Sequence, residues 1–131
     1  LALVQEASQT MPIAIATGAS TADTQLLLTQ LDCQSLFQTI VTADDVTRSK
    51  PDPQTYRQAY QQLCEQNPSL AIESCECLAI EDTQAGIASA QAAGLQTLAI
   101  TTTTTSDQLQ QANRVIKNLE NVTVQKLREW F

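Results

Sequence analysis

Residues 78–86 are Leu78-Ala79-Ile80-Glu81-Asp82-Thr83-Gln84-Ala85-Gly86, an apolar run followed by two adjacent carboxylates and a helix-like segment. A short apolar run of this kind suits a buried strand of a parallel sheet. Ligands of such sheets bind at the carboxyl ends of the strands, where Glu81 and Asp82 lie. Carboxylate oxygens suit Mg²⁺, so the pair is a candidate metal site. Because side chains alternate along an extended chain, we expect one carboxylate to bind the metal closely and the other to act more indirectly.

Short apolar runs and segments with helical spacing alternate along the chain on both sides of this stretch. Such alternation is typical of α/β proteins with a mainly parallel sheet. No linker or internal repeat divides the sequence, so we expect one domain over residues 1–131. The patterns predict strands at 13–16, 39–42, 77–80, 98–100 and 115–116, and helices at 1–10, from 20 or 21, from 53 to about 65, at 83–93 and near the end.

Two further motifs follow predicted strands and carry groups that suit a bound anion. Thr17 and Gly18 offer a hydroxyl and free backbone N–H groups just before a helix, which together form an anion cradle. Lys50 precedes Pro51-Asp52-Pro53. A following proline restricts the lysine to an extended conformation, and an aspartate cap with proline at the first helical position fixes a helix start. The lysine is therefore expected to be held stiffly at the edge of the sheet.

Each motif also has a simpler interpretation. Asp82 or Thr83 could only cap the next helix, the segment at Thr17 could be an ordinary turn, and Lys50 could be solvated. The three motifs occur together and in a fixed order, however. In that order they resemble the haloacid dehalogenase (HAD)-like hydrolase superfamily, especially the branch of sugar-phosphate phosphatases and β-phosphoglucomutase. Residues 13–18 look like its second motif, residues 49–53 like its third and residues 80–87 like its fourth.

The resemblance implies a three-layer, Rossmann-like α/β core and a Mg²⁺-dependent phosphoryl transfer. In that reaction an aspartate attacks phosphorus and water then releases phosphate. The resemblance implies catalytic roles for Thr17 and Lys50, phosphate binding by Thr17, Gly18 and Lys50, and metal binding by Asp82 and Glu81.

The first motif of the superfamily, Asp-x-Asp-Gly-Thr, is absent from these residues. The resemblance places there the nucleophile, the acid/base and a Mg²⁺ ligand, followed by a helical cap. We therefore expect a single HAD-like core fragment without the cap domain, incomplete at its N-terminal central strand and inactive alone. Its complete form is expected to hydrolyse small phosphorylated metabolites such as sugar phosphates. The resemblance places the strand of the first motif between the strands that end at Thr17 and Glu81. In its absence we expect the sheet to close, with residues 13–16 paired directly to residues 77–80.

Two alternatives belong to other classes of protein. A non-catalytic HAD-like remnant or interaction module would share the fold and lack the chemistry. A receiver-like domain is disfavoured, because there the acidic pair comes first, whereas here Thr17 and Lys50 precede Glu81 and Asp82. The partners to expect are a phosphorylated metabolite and either a missing N-terminal segment or a second chain.

The composition excludes several classes of binding surface and catalytic site. Seven Lys and Arg against fourteen Asp and Glu give a net charge of -7, with no basic cluster, which argues against a nucleic-acid or anionic-membrane surface. No histidine is present, so His-based catalysis and His metal sites are excluded. The four cysteines do not match zinc spacings and are expected to be small core residues in a reducing, cytoplasmic setting. No apolar run reaches the roughly eighteen residues of a membrane span.

Overall fold

The computed structural model describes all 131 residues and contains five α-helices and five β-strands that alternate along much of the chain. All strand pairs are parallel, which confirms the predicted α/β class. The helices are α1 (Ala2–Ser8), α2 (Thr21–Gln30), α3 (Gln54–Gln66), α4 (Gln84–Ala92) and α5 (Val124–Trp130). The strands are β1 (Ala14–Ala16), β2 (Thr39–Val41), β3 (Leu78–Glu81), β4 (Gln96–Ile100) and β5 (Arg114–Ile116).

The strands form two separate sheets, one of β1 and β2 and the other in the order β3-β4-β5. The prediction that residues 13–16 pair directly with residues 77–80 is therefore wrong. Side chains of α3 and its preceding loop join the two sheets instead. The Tyr56 ring packs in a cluster with Ala79 of β3, against which Ala16 of β1 also packs. The Lys50 ammonium group donates a hydrogen bond to the carbonyl of Ala16, and this carbonyl faces away from β2.

Local capping explains where the helices begin and end. The Ser20 hydroxyl accepts a hydrogen bond from the Asp23 N–H at 3.1 Å and so begins α2. Thr83 caps α4 in the same way. Gly94 ends that helix with φ +88°, a backbone conformation that glycine adopts without strain. Helix α3 begins one residue later than expected, although Asp52 still accepts a hydrogen bond from the Gln54 N–H at 2.9 Å.

The buried core is small and lies around the elements that carry the strand-end motifs. One buried cluster joins Tyr56, Ala79 and Ala90, and a second joins Ile87, Ala99 and Leu109. These clusters tie α3, α4, β3 and β4 into one unit beneath the carboxyl ends of the strands. By contrast, the leucines of α2 other than Leu28 are exposed. No helix combines the length and apolar character needed to cross a bilayer.

The cysteines correct a second expectation. All four are free, but only Cys33 is buried in the core. Cys75 is exposed because it lies in a short 3-10 turn (Ser74–Glu76) at the surface. Cys77 is partly exposed because it ends that turn and precedes β3 without belonging to the strand, and Cys64 near the end of α3 is also partly exposed.

Candidate active site

The Lys50 side chain lies at the carboxyl ends of β1 and β3. Its Nζ donates a hydrogen bond of 3.1 Å to the carbonyl of Ala16 and forms an ion pair with Oε1 of Glu81. The Lys50–Pro51 peptide bond is cis, and α3 begins shortly after it. Only 16% of the lysine side chain is exposed. The lysine is thus held between the two sheets, and the interpretation as a solvated side chain does not apply.

Glu81 is the buried anion to which the other groups of the site are attached. Its residue exposure is 8%, and its Oε1 accepts hydrogen bonds from Lys50 and from the Tyr56 hydroxyl, the latter at 2.5 Å. The Lys50 ammonium also lies 4.8 Å from the centre of the Tyr56 ring. Burial, together with the negative charge of Glu81, raises the pKa of Tyr56 far above its usual range. The phenol therefore stays protonated and acts as a donor.

Two residues of this arrangement were missed as site residues at the level of sequence. Tyr56 follows the third motif, and its helical spacing with Ala59, Tyr60 and Leu63 predicts an apolar face of α3 and not a contact with Glu81. Gly86 lies against the carboxylate of Glu81, and a Cβ added there would overlap Oε2. The glycine is needed because the buried carboxylate occupies the space of its missing side chain. An unexplained glycine in the first turn of a helix was the available signal.

Asp82 points away from this cluster, as expected from alternation. Its Oδ2 accepts a hydrogen bond of 2.6 Å from Thr103, in the loop after β4. Thr83, and not Asp82, caps α4. The aspartate is therefore not required for helix capping and lies partly exposed at the edge of the sheet.

Thr17 and Gly18 directly follow β1, next to the Ala16 carbonyl that binds Lys50. The Thr17 hydroxyl accepts a hydrogen bond from the Ala19 N–H at 3.1 Å, and the space beside Gly18 is open. A cavity of about 170 Å³ lies between this turn and the loop that carries Lys50. Its lining is rich in hydroxyl groups and comprises Thr17, Gly18, Ala43, Val46, Thr47, Ser49 and Thr55. The cavity is lined by residues of the second and third motifs, and Lys50 connects these motifs to Glu81 of the fourth at the same edge of the fold.

The remaining acidic residues near this edge are committed to turns. Asp44 accepts a hydrogen bond from the Thr21 N–H at 2.8 Å, and this bond lowers the pKa of Asp44. Asp45 accepts from the Thr42 N–H at 2.8 Å and closes a capping box. No group of three or more Cys, Asp or Glu side chains is arranged to hold a metal ion. Glu81 and Asp82 can therefore supply only part of a coordination shell.

Comparison with known proteins shows the family to which the chain is related. A family model described as haloacid dehalogenase-like hydrolase matches residues 2–100. The chain is 33% identical to validoxylamine A 7'-phosphate phosphatase of Streptomyces hygroscopicus subsp. limoneus over 112 residues, which are 86% of this chain and 49% of that protein. It is 34% identical to fructose-1-phosphate phosphatase of Escherichia coli (strain K12) over 84 residues, 64% of this chain and 41% of that protein. The chain thus spans about half the length of the curated relatives that it matches.

Solved structures show the same fold. CbbY from Rhodobacter sphaeroides in complex with phosphate superimposes with a TM-score of 0.84 at 23% identity, covering 97% of this chain and 56% of that one. β-Phosphoglucomutase from Clostridium difficile superimposes with a TM-score of 0.82 at 21% identity, covering 98% and 53%. The family match excludes the receiver-like alternative and confirms the resemblance drawn from the three motifs. The chain belongs to the haloacid dehalogenase-like hydrolase family.

Proposed function

We propose that this chain supplies the phosphate- and metal-binding part of a phosphatase that acts on small phosphorylated metabolites. The observation that carries the proposal is the position of Lys50 Nζ between the Ala16 carbonyl and Glu81, at the edge where the Thr17 turn and Asp82 also lie. Two of the relatives are named as phosphatases, one of validoxylamine A 7'-phosphate and one of fructose 1-phosphate. Their names support a phosphorylated, hydroxyl-rich substrate.

Phosphoryl transfer depends mainly on positioning and on stabilising the negative charge of the transferring group. Lys50 is fixed by two partners and offers its charge to the non-bridging oxygens. The Thr17 hydroxyl and the N–H groups of the following turn are expected to donate hydrogen bonds to the same oxygens. The chain's overall charge of -7 does not conflict with an anionic substrate, because the attraction is local to this edge.

A Mg²⁺ ion fits the chemistry of the acidic residues at this edge. Mg²⁺ prefers oxygen ligands and commonly uses one or two carboxylates together with water and substrate phosphate. Glu81 and Asp82 are two such carboxylates at the end of one strand. Asp82 would bind the ion directly and Glu81 would contribute its charge from nearby, and the ion would neutralise charge on the phosphoryl group. Asp82 is the more accessible of the two, because Glu81 already has Lys50 and Tyr56 as partners.

The nucleophilic carboxylate has to come from outside these residues. Glu81 is paired with Lys50, Asp82 accepts from Thr103, and Asp44 and Asp45 serve turns. Such a carboxylate can arrive on a strand between β1 and β3. In β1 the residues bonded to β2 include Ile13 and Thr17, so by alternation the peptide groups of Ala14 and Ala16 face away from β2.

The edge of β3 that faces β1 also has peptide groups that are not bonded to a neighbouring strand. Cys77 bonds to β4, so the peptide groups of Leu78 and Ile80 face away from that strand. Both carboxyl ends meet at Lys50, which means that β1 and β3 run in the same direction. An extended segment entering between them would pair with both edges and deliver an acidic side chain beside the lysine. We propose that the chain alone is inactive and that this segment restores activity.

The test is a complementation assay with a generic aryl phosphate and Mg²⁺. The purified chain is assayed alone, with a peptide that carries Asp-x-Asp-Gly-Thr, and with a control peptide whose first Asp is Asn. Turnover is expected only with the first peptide, and Lys50→Met should reduce it by about 100-fold or more. Arg48→Ala, on the same loop but exposed, is the matched control and should retain activity. Turnover by the chain alone that is abolished by Asp82→Ala would overturn the proposal. Absence of turnover under every condition would favour the non-catalytic alternative.

A further inference from the structure

We propose that Cys64 and Cys77 form a redox modification site, in which oxidation links the end of α3 to the start of β3 through a disulfide bond. The pair lies at the amino ends of the strands, away from the candidate active site. This inference is independent of the proposed function.

The two thiols border the same short piece of chain. Cys64 Sγ lies 3.6 Å from the carbonyl oxygen of Ile72, and Cys77 Sγ lies 3.6 Å from that of Glu73. Because Ile72 and Glu73 are consecutive residues, both sulfur atoms lie beside the same short stretch of backbone. Tyr60, one turn before Cys64, donates a hydrogen bond of 2.8 Å to the same Ile72 carbonyl. The loop is therefore fastened to α3 beside both thiols.

The geometry of the two elements explains why these cysteines face each other. Tyr56 near the start of α3 contacts Glu81 at the end of β3, whereas Cys64 near the end of α3 contacts Ile72 in the loop that precedes β3. The helix and the strand therefore run in opposite directions. Cys64 is eight residues after Tyr56, or about 12 Å along a helix. Cys77 is four residues before Glu81, or about 13 Å along a strand. Equal distances from one contact place the cysteines opposite each other at the other end.

The orientation of the side chains agrees with these distances. Tyr56, Tyr60 and Cys64 are spaced four residues apart and lie on one face of α3. Cys77, Ala79 and Glu81 alternate onto one face of the strand, and Ala79 packs against Tyr56. The neighbouring Cys64 thiol is the main cause that raises the pKa of Tyr60, and burial and the charges of Cys64 and Cys77 add to it. The three side chains thus share one environment.

The oxidation is balanced with a peroxide as the oxidant. The Cys64 and Cys77 thiols together lose two protons and two electrons and form one S–S bond, and hydrogen peroxide takes up both and is reduced to two molecules of water. Burial, with a contribution from Cys64, raises the pKa of Cys77 to about 11. Little of this thiol is ionised near neutral pH, so we expect the bond to form over minutes to hours, at the slow end of disulfide formation.

The test uses the full chain treated with an excess of hydrogen peroxide. The monomer should lose two hydrogens in intact mass, and peptide mapping should recover one linked peptide containing Cys64 and Cys77. Closing the loop between them constrains the unfolded chain, so the Tm should rise by on the order of 10 °C and return when a thiol reductant is added. Cys33→Ser and Cys75→Ser should keep both changes, because neither residue belongs to the pair.

Cys77→Ser should abolish both the link and the rise in Tm. Cys64→Ser should have the same effect, and it replaces Cys77→Ser in the test if that variant does not fold. A link that joins Cys75 to either partner in the monomer would overturn the proposal. So would peroxide treatment that only adds oxygen to the thiols, or a rise in Tm that persists in Cys77→Ser.

Discussion

The Tyr56 hydroxyl donates a hydrogen bond of 2.5 Å to Oε1 of Glu81, the same oxygen that pairs with the Lys50 ammonium. One buried carboxylate oxygen therefore fixes both a phenol of α3 and the lysine that precedes this helix. The other oxygen lies against Gly86 in the first turn of α4. A single glutamate thus links α3, α4 and β3 beneath the edge where the motifs meet.

Replacing Tyr56 with phenylalanine tests the hydrogen bond without removing the ring from the core. A hydrogen bond to a charged group contributes about 1.5–3 kcal/mol, so Tyr56→Phe should lower the free energy of unfolding by about that amount. Tyr60→Phe is the matched control, because its hydroxyl bonds to a neutral carbonyl, and it should cost less. Urea denaturation measures both. Equal stability of Tyr56→Phe and the parent chain would contradict this account of Glu81.

Removing Lys50 leaves the Glu81 charge buried without its ion partner. Loss of one member of a buried ion pair costs about 3–5 kcal/mol, so Lys50→Met should lower the free energy of unfolding by an amount near the low end of this range. The exposed pair of Arg48 and Asp52, 3.7 Å apart, offers the comparison. Arg48→Ala should change stability by less than about 1 kcal/mol. Similar costs for the two variants would show that the lysine is solvated.

Gly86→Ala tests the close packing of the glutamate against α4. Alanine favours a helix by about 1 kcal/mol over glycine, yet here its Cβ would overlap the Glu81 carboxylate. The cost of the steric overlap should exceed the gain in helix propensity. We therefore expect the free energy of unfolding, measured by chemical denaturation, to fall by roughly 1–2 kcal/mol. Gly18→Ala is the control, because no atom lies within 4 Å of the position of its Cβ. A stabilised Gly86→Ala variant would refute the packing argument.

The contribution of Asp44 to the free energy of unfolding should decrease as the pH becomes acidic. The Thr21 hydrogen bonds lower the pKa of this carboxyl from 3.8, so the charged form is favoured in the folded state. That stabilisation is present above the unfolded pKa and is lost as the pH falls through the folded pKa. Asp44→Asn should therefore be less stable than the parent at about pH 6 and approach it at about pH 2. Equal dependence of stability on pH in Asp44→Asn and the parent chain would contradict this account of Asp44.

Much of the fold could be predicted because local patterns determine it. The apolar runs before Thr17 and Glu81 specify buried parallel strands, and Ser20 and Thr83 specify where helices begin. The common edge followed from the rule that parallel strands present their carboxyl ends together. These conclusions needed no knowledge of long-range packing.

The separation of the two sheets could not be predicted in this way. Whether β1 pairs directly with β3 depends on long-range packing, and a short apolar run does not encode its neighbour. The Tyr56 ring packs beside Ala79 of β3 and Ala16 of β1, and the Lys50 ammonium group bonds to the Ala16 carbonyl at the carboxyl end of β1. For the same reason the contact of Tyr56 with Glu81, twenty-five residues away in sequence, was not apparent from helical spacing.

The central claim is that Lys50, Thr17 and Gly18 bind one phosphate group, and an NMR titration with inorganic phosphate tests it most directly. We expect the largest shifts at the Lys50 ammonium and at the backbone N–H groups of Gly18 and Ala19. In Lys50→Met the shifts at Gly18 and Ala19 should weaken by about tenfold in apparent affinity, whereas Arg48→Ala should leave them unchanged. Shifts that avoid the turn at Gly18, or that are the same in Lys50→Met and the parent chain, would contradict the claim.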